Sequence, residues 1–219
     1  MLQRTQGHGT ATLYLHGGAV LELVSQLKRR LTMRPTHKNR SSTLRAAESV
    51  RWEWSQFSEL SIETLYDLLA LRQSVFIVEQ NSAFVDADGL DRVAWHLIGR
   101  TDGDVVCAYA RVIVPGVLGQ MPVLGRVLTR SSMRGHGVGR LLVQTALSHT
   151  QSLWPELEIH AAVQSYLQSF YVQMGFIAIG QEYEIDGIPH LDMTIRPSSL
   201  DDQSGSSIVG AVSREIRSK

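Results

Sequence analysis

Cysteine is scarce in this chain of 219 residues. The single cysteine, Cys107, excludes an internal disulfide bond and any cysteine-rich metal site. It lies in the apolar run 105–109, which favours a buried structural thiol. A chain without disulfides suits a reducing compartment, and we therefore expect a cytoplasmic protein.

Long apolar runs and several well-known catalytic strings are also missing. No apolar run approaches the ~20 residues that cross a membrane, and the N-terminal stretch lacks the shape of a signal peptide. The G-x-S-x-G string of α/β-hydrolases does not occur, and the eight histidines contain no H-x-x-x-H pair. We therefore expect no membrane association, no hydrolase of that class and no bound metal.

The net charge is zero, but the charges are distributed unevenly. Residues 1–50 carry eight basic and two acidic side chains, whereas residues 51–196 carry ten arginines, no lysine and sixteen acidic side chains. An acidic central block argues against a nucleic-acid partner and is compatible with a cationic amine substrate. We expect a basic extension over 1–50, one folded domain over 51–196, and a polar tail over 197–219.

Apolar periodicity predicts alternating strands and helices through the central block. The pattern predicts helices over 62–78, 138–152 and 165–174, and strands over 94–99, 105–112, 123–128, 158–162, 177–184 and 188–195. Ser61 is a plausible helix cap, and Gly175 ends the third helix. The block is therefore predicted to be mixed α/β.

Residues 134–139 read Arg-Gly-His-Gly-Val-Gly between a predicted strand and a predicted helix. Glycines let the backbone approach a ligand closely, and a helix start offers unpaired N–H groups that suit phosphate. A nucleoside-triphosphate loop would end in Gly-Lys-Ser/Thr, and a dinucleotide loop would read G-x-G-x-x-G. Neither string is present. The pattern that fits is R-x-x-G-x-G, formed by Arg134, Gly137 and Gly139.

This loop resembles the coenzyme-A loop of the GNAT N-acetyltransferases. Tyr171, Gly175 and Phe176 match a second GNAT motif, N-x-x-A-x-x-L-Y-x-K-x-G-F, in register. Gln164, Phe170 and Gln173 stand in place of its Asn, Leu and Lys. The chain most resembles the ElaA-like branch, over about residues 52–195. The stretches that carry this resemblance are 65–72, 75–81, 86–89, 108–112, 125–127 and 186–190.

The resemblance implies the GNAT acyl-CoA N-acyltransferase fold. In that fold a central, mostly antiparallel sheet is flanked by helices and splayed between strands four and five. It also implies acetyl-CoA as co-substrate, with its pyrophosphate on the glycine loop and its pantetheine arm along strand four. The residues implied to bind it are Val127, Leu128, Thr129, Arg134, Gly135, His136, Gly137, Val138, Gly139, Arg140 and Gln164.

The implied reaction is direct attack of an amine on the thioester. Tyr171 stands where the family has a general acid, the alternative being a tyrosine that only packs in the core. Many members use a glutamate on strand four as general base, but this chain has Arg126 in that region. His96 and Glu79 are the base candidates, and His190 is a further candidate that also fits the acceptor site.

Three arginines leave two interpretations open. Arg72, Arg111 and Arg126 could bind a substrate carboxylate, or they could pair with Asp86, Asp88 and Asp91. The overall function also keeps alternatives: an N-acetyltransferase for a small amine, a catalytically weak coenzyme-A-binding module, or an acetyltransferase directed at proteins. Because family members often pair, a homodimer is open as well. The sequence does not predict the acceptor.

Overall fold

The computed structural model describes residues 49–197. The predictions for the basic extension up to residue 48 and for the tail from residue 198 lie outside the described residues. The elements are strands β1 (Arg51–Gln56), β2 (Ala94–Arg100), β3 (Val106–Ile113), β4 (Val123–Thr129), β5 (Ile159–Gln164), β6 (Ile177–Ile185) and β7 (Ile188–Ile195), with helices α1 (Ile62–Arg72), α2 (Val138–Leu153) and α3 (Gln168–Val172). A π-helical stretch, Gln73–Glu79, extends α1.

The seven strands form one sheet in the order β1-β2-β3-β4-β5-β7-β6. Neighbouring strands run antiparallel except β4 and β5, which are parallel. The register between β4 and β5 contains only the pair Val123 and His160. Beyond that pair the two strands separate, which confirms the predicted sheet splayed between strands four and five.

Helices cover both faces of the sheet because alternate residues of the central strands point to opposite sides. On one face, α2 buries Leu142, Ala146 and other residues in a core that includes Leu97 and Ala108. On the other face, α1 packs in a second core of Leu68, Leu71, Val75, Ile98, Val106, Tyr109 and Leu128. Cys107 is fully buried in the first core, as expected from its apolar run.

The predicted helices and strands are present, with ends that differ by a few residues. Ser61 caps α1, because its side chain accepts a hydrogen bond from the backbone of Thr64. Strand β1 was not predicted, although charged or polar residues alternate there with Trp52 and Trp54, which pack against the first core. None of the helices in residues 49–197 is both long and apolar enough to cross a bilayer.

Candidate active site

The separation of β4 from β5 opens a cavity of about 920 Å³. Its walls are all seven residues of β4, the glycine loop, the end of β5, and parts of the π-helical stretch and of the turn between β6 and β7. The residues predicted to bind coenzyme A that line it are Val127, Leu128, Thr129, Arg134, Gly135, Gly137, Gly139, Arg140 and Gln164. The other two, His136 and Val138, are not on its wall, and Val138 is buried in the core.

One edge of β4 faces this cavity without a strand partner. On its other side β4 pairs with β3, from Val123 opposite Ile113 to Thr129 opposite Ala108. No residue of β5 is in register with positions 124–129. Backbone groups along that edge are therefore available to hydrogen-bond an extended ligand, in the way that a missing strand would.

A β-bulge interrupts the β3–β4 pairing in the middle of the cavity wall. The register moves from Tyr109 opposite Leu128 to Arg111 opposite Gly125, so that Ala110 faces two residues. Arg126, within the bulge, has φ of 52°, in the left-handed region that non-glycine residues rarely occupy. Such a conformation persists only where surrounding contacts fix it.

The glycine loop delivers the start of α2 to the cavity. Gly135 and Gly137 have φ of 73° and 82°, which glycine adopts without steric cost. Within the described residues no side chain caps α2, and no acidic residue lies in its first turn. The first N–H groups of a 16-residue helix are therefore open to an anion, whose charge the helix dipole also favours.

Arg134 of the loop and Arg140 in the first turn of α2 are already engaged by other side chains. Both terminal nitrogens of Arg134 donate to the carboxylate of Glu79, and its Nε donates to the carbonyl oxygen of Thr129 at 3.1 Å. Arg140 donates to the side chain of Gln173 at 2.8 Å. Arg134 and Glu79 are each more than two-fifths exposed, so the pair is accessible to a competing ion.

Three arginines and three aspartates form a closed ring of alternating charge beside the bulge. Each arginine pairs with two aspartates, and each aspartate with two arginines. The six ion pairs join Arg72 to Asp86 and Asp91, Arg111 to Asp88 and Asp91, and Arg126 to Asp86 and Asp88, at 2.7–3.1 Å. The ring ties the loop before β2 to α1, β3 and β4.

The ring accounts for Arg72 without any role in substrate binding. All three pair with aspartates, and Arg72, whose side chain is 2% exposed, is not on the cavity wall. The prediction that Arg72 binds substrate is therefore corrected. Arg111 lines the cavity but is 3% exposed, whereas Arg126 lines it and is 23% exposed.

The ring also sets the protonation of its acids. Burial alone would raise the pKa of Asp88, but hydrogen bonds from Arg111 and the backbone of Leu90, with the charges of Arg111 and Arg126, lower it to about 2. The pKa of Asp91 is likewise lowered, against burial, by Arg111 and Arg72. Both carboxylates are therefore ionised at neutral pH.

His96 is not placed where a base for the acceptor must be, which corrects that prediction. It is 1% exposed and absent from the cavity wall. One ring nitrogen contacts the hydroxyl of Tyr109 at 2.8 Å, and the other contacts the carbonyl oxygen of Asp91 at 2.9 Å. Burial lowers its pKa, which keeps the ring neutral in this packed position.

The remaining predicted residues come together at the cavity. Tyr171 is 5% exposed and lines it, packing edge-on against Phe170 and Phe176. Gln164 accepts a hydrogen bond from the hydroxyl of Tyr166 at 2.6 Å and contacts the amide of Gln80 across the gap. His190 lies on the opposite wall, where Nδ1 contacts the carbonyl oxygen of Ile188 at 2.7 Å.

Comparison with known proteins agrees with this geometry. A family model described as acetyltransferase (GNAT) domain matches residues 95–197. The UPF0039 protein sll0451 of Synechocystis is 40% identical over 147 residues, covering 67% of this chain and 96% of the relative. The protein ElaA of Escherichia coli is 38% identical over 146 residues, covering 66% and 95%. The chain belongs to the GNAT acetyltransferase family, in its ElaA-like branch.

Solved structures of GNAT proteins superpose on the same region. The crystal structure of Escherichia coli ElaA is similar with a TM-score of 0.64 at 37% identity, covering 67% of this chain and 99% of that chain. An acyl-CoA N-acyltransferase from Pseudomonas aeruginosa gives a TM-score of 0.64 at 36% identity, with the same coverage. Membership of this family supports acyl transfer from an acyl-CoA.

Proposed function

We propose that the protein is an acetyl-CoA-dependent N-acetyltransferase that acts on a small amine. The observation that carries the proposal is the meeting, in one cavity, of the partnerless edge of β4 with the uncapped start of α2. An extended amide chain and a diphosphate are the two ligand parts that these features suit, and an acyl-CoA contains both. A homodimer and a cytoplasmic location remain parts of the proposal.

The residues present fit the donor. The loop glycines leave space for it, since a Cβ built on Gly135 would meet no atom within 4 Å. The same is true of Gly125 in β4, which lines the cavity. Arg134 and Arg140 would hold the diphosphate, residues 127–129 the pantetheine arm, and Gln164 an amide of that arm.

Transfer then proceeds by direct attack. The acceptor nitrogen bonds to the acetyl carbonyl carbon and loses a proton to the general base, and the carbon–sulfur bond breaks. The departing thiolate takes a proton from the hydroxyl of Tyr171, which regains one from solvent before the next turnover. Burial raises the pKa of Tyr171, so the hydroxyl stays protonated and able to donate near neutral pH. A backbone N–H on the free edge of β4 would stabilise the charge that develops on the carbonyl oxygen.

Glu79 and His190 are the base candidates that lie on the cavity wall. Glu79 becomes available only when Arg134 releases it, and the diphosphate of the donor would compete for that arginine. Loading of the donor would thus free a carboxylate in the same cavity. His190 has one ring nitrogen at the carbonyl oxygen of Ile188, which leaves the other for proton transfer.

Two measurements on the full chain test the proposal. Calorimetry with acetyl-CoA should give saturable binding, and thiol release should be observed with at least one member of a panel of amines, polyamines, amino acids and peptides. Omission of the acceptor provides the control for simple hydrolysis. Absence of binding would refute the donor assignment.

A coenzyme-A-binding module with little catalysis is the second candidate. It is favoured by the burial of His96, by the ion pair that occupies Glu79, and by the absence of a glutamate from β4. Binding of acetyl-CoA without thiol release across the whole panel would select this alternative.

A further inference from the structure

We propose that Arg126 is the anchor for a carboxylate on the acceptor, so that the acceptors are free amino acids with apolar side chains. The inference rests on the proposed function and names its substrate class. Its basis is the exposure of Arg126: of the three arginines in the charge ring, it is the most exposed, it lines the cavity, and it has a terminal nitrogen that solvent reaches.

The free edge of Arg126 follows from its hydrogen bonds. Nε donates to Asp86 at 2.7 Å, and Nη2 donates to the backbone of Asp86 at 3.3 Å and to Asp88 at 3.1 Å. Within residues 49–197, Nη1 has no hydrogen-bond partner, and it is not among the buried polar atoms left unsatisfied there. Nη1 is therefore reached by solvent in a side chain that lines the cavity.

Aromatic rings hold this guanidinium in place. Its central carbon lies 5.5 Å from the ring centre of Phe84 and 5.9 Å from that of Phe76. Two ion pairs and two ring contacts fix the orientation of the side chain before any ligand arrives. A preorganised cation loses little conformational entropy when it binds an anion, which makes it a good carboxylate site.

Of the three carboxylates that residues 49–197 place on the wall, Asp88 and Glu79 are paired with arginines, and Asp186 lies in the exposed turn between β6 and β7. Asp88 accepts hydrogen bonds from the backbone of Leu90, from both terminal nitrogens of Arg111 and from Arg126, which fills its acceptor positions. Glu79 is paired with Arg134 until the donor competes for that arginine. The cation at Arg126 favours an acceptor that carries an anion, and an amino acid brings one amine and one anion.

The position of Arg126 suits an α-carboxylate. Arg126 immediately precedes residues 127–129, along which the pantetheine arm is proposed to lie. The anchor is therefore next in sequence to the segment that would hold the donor. The cavity wall also carries the apolar side chains of Phe84, Leu90, Ile113 and Leu118. An apolar side chain on the acceptor would bury its surface there, while the α-amine faces the thioester.

The test compares amino acids with their amides. L-leucine, L-methionine and L-phenylalanine are each assayed against the corresponding amide by thiol release at saturating acetyl-CoA. The amide keeps size and shape but removes the negative charge, and its amine is less basic, which works against the expected result. We expect kcat/KM to be about tenfold or more higher for the acid, the scale of a hydrogen bond to a charged group.

In Arg126→Gln the ratio of kcat/KM for the acid to kcat/KM for the amide should fall close to one. The affinity for acetyl-CoA, measured by calorimetry, should be retained. Arg92→Gln, the same change at an exposed arginine away from the cavity, should keep the ratio of the original protein. If Arg126→Gln does not fold, Arg126→Lys, which keeps the charge but not the fork, should give an intermediate ratio.

A wild-type protein that accepts the amides as well as the acids would overturn the inference, whatever the variants do. So would an Arg126→Gln enzyme that retains the preference. If acetyl-CoA binds but no acceptor in the panel reacts, the proposed function fails, and the anchor is judged by binding alone. The CoA-loaded protein is then titrated with the acid and with the amide by calorimetry. Selective binding of the acid supports the anchor, and equal binding of the two, or no binding, refutes it.

Discussion

Tyr171 combines burial with a place on the cavity wall, which is an unusual position for a hydroxyl. Burial raises its pKa, so the hydroxyl is protonated at neutral pH and is available as a proton donor to a departing thiolate. We expect Tyr171→Phe to lower kcat by about 10²-fold or more with little change in acetyl-CoA affinity, as loss of a general acid does. Steady-state thiol release and calorimetry measure the two quantities. Tyr66→Phe, at an exposed tyrosine, is the control, and an unaltered kcat in Tyr171→Phe would remove this residue from the mechanism.

Gly125 shows where the cavity wall depends on the absence of a side chain. A Cβ there would meet no atom within 4 Å, so a larger residue would extend into the cavity rather than into the core. Gly125→Leu is expected to reduce turnover at least about tenfold, because it occupies ligand space, while the Tm stays near that of the parent. Gly103→Leu in the exposed β2–β3 turn controls for the loss of a glycine. A Gly125→Leu enzyme with parental turnover would show that ligands do not approach β4 at this point.

Single residues were predictable where a local motif specifies them, and not where the tertiary structure does. The loop arginine, the loop glycines and Tyr171 are fixed by spacing along the chain. His96 illustrates the opposite case: almost all of β2 is buried, so the polarity pattern gives no sign of which face it occupies. Only packing reveals that His96 contacts Tyr109 and the backbone of Asp91.

At the scale of elements, an ion pair joins the π-helical stretch to the glycine loop. Glu79, at the end of that stretch, pairs with Arg134 of the loop. It competes with the donor for Arg134. We expect Glu79→Gln to tighten acetyl-CoA binding by up to about fivefold, since exposed ion pairs contribute about 0–1 kcal/mol. Arg134→Gln should weaken binding about tenfold or more. Calorimetry at low and moderate salt measures both, and Glu59→Gln, outside the cavity, is the control. Weaker binding in Glu79→Gln would mean that the ion pair supports the donor site instead of competing for it.

The order of helices and strands was predictable from periodicity, but two details of the sheet were not. In β1 tryptophans alternate with charged or polar residues, and this segment forms a strand because it pairs with β2. No local sequence pattern predicts the bulge at Arg126, because the bulge arises where two residues of β4 lie opposite Ala110 of β3. Both features require partners distant in sequence, which a single chain segment does not display.

For the molecule as a whole, the ring of three arginines and three aspartates is the feature that joins separate parts of the fold around the active site. It links α1, β3 and β4 through the loop that carries Asp86, Asp88 and Asp91. Buried ion pairs with every partner present are tolerated, whereas removal of one partner leaves uncompensated charge. The stability of the domain should therefore depend on the protonation of these aspartates.

The acid limb of the stability curve tests this dependence. The pKa of Asp88 is about 2 in the folded state, below the value of about 4 in an unfolded chain, so the unfolded state takes up the proton first. Its stabilising contribution is then fully present above about pH 4 and is lost as the pH falls towards 2. The free energy of unfolding, measured with urea between about pH 2.5 and about pH 7, should show that decline in the parent. Asp88→Asn should be less stable by about 1–3 kcal/mol at pH 7, with a difference that narrows on acidification. Asp102→Asn, at an exposed turn, should follow the parent throughout. A gap between parent and Asp88→Asn that stays constant down to the lowest pH would mean that the ionised form of Asp88 is not what stabilises the fold.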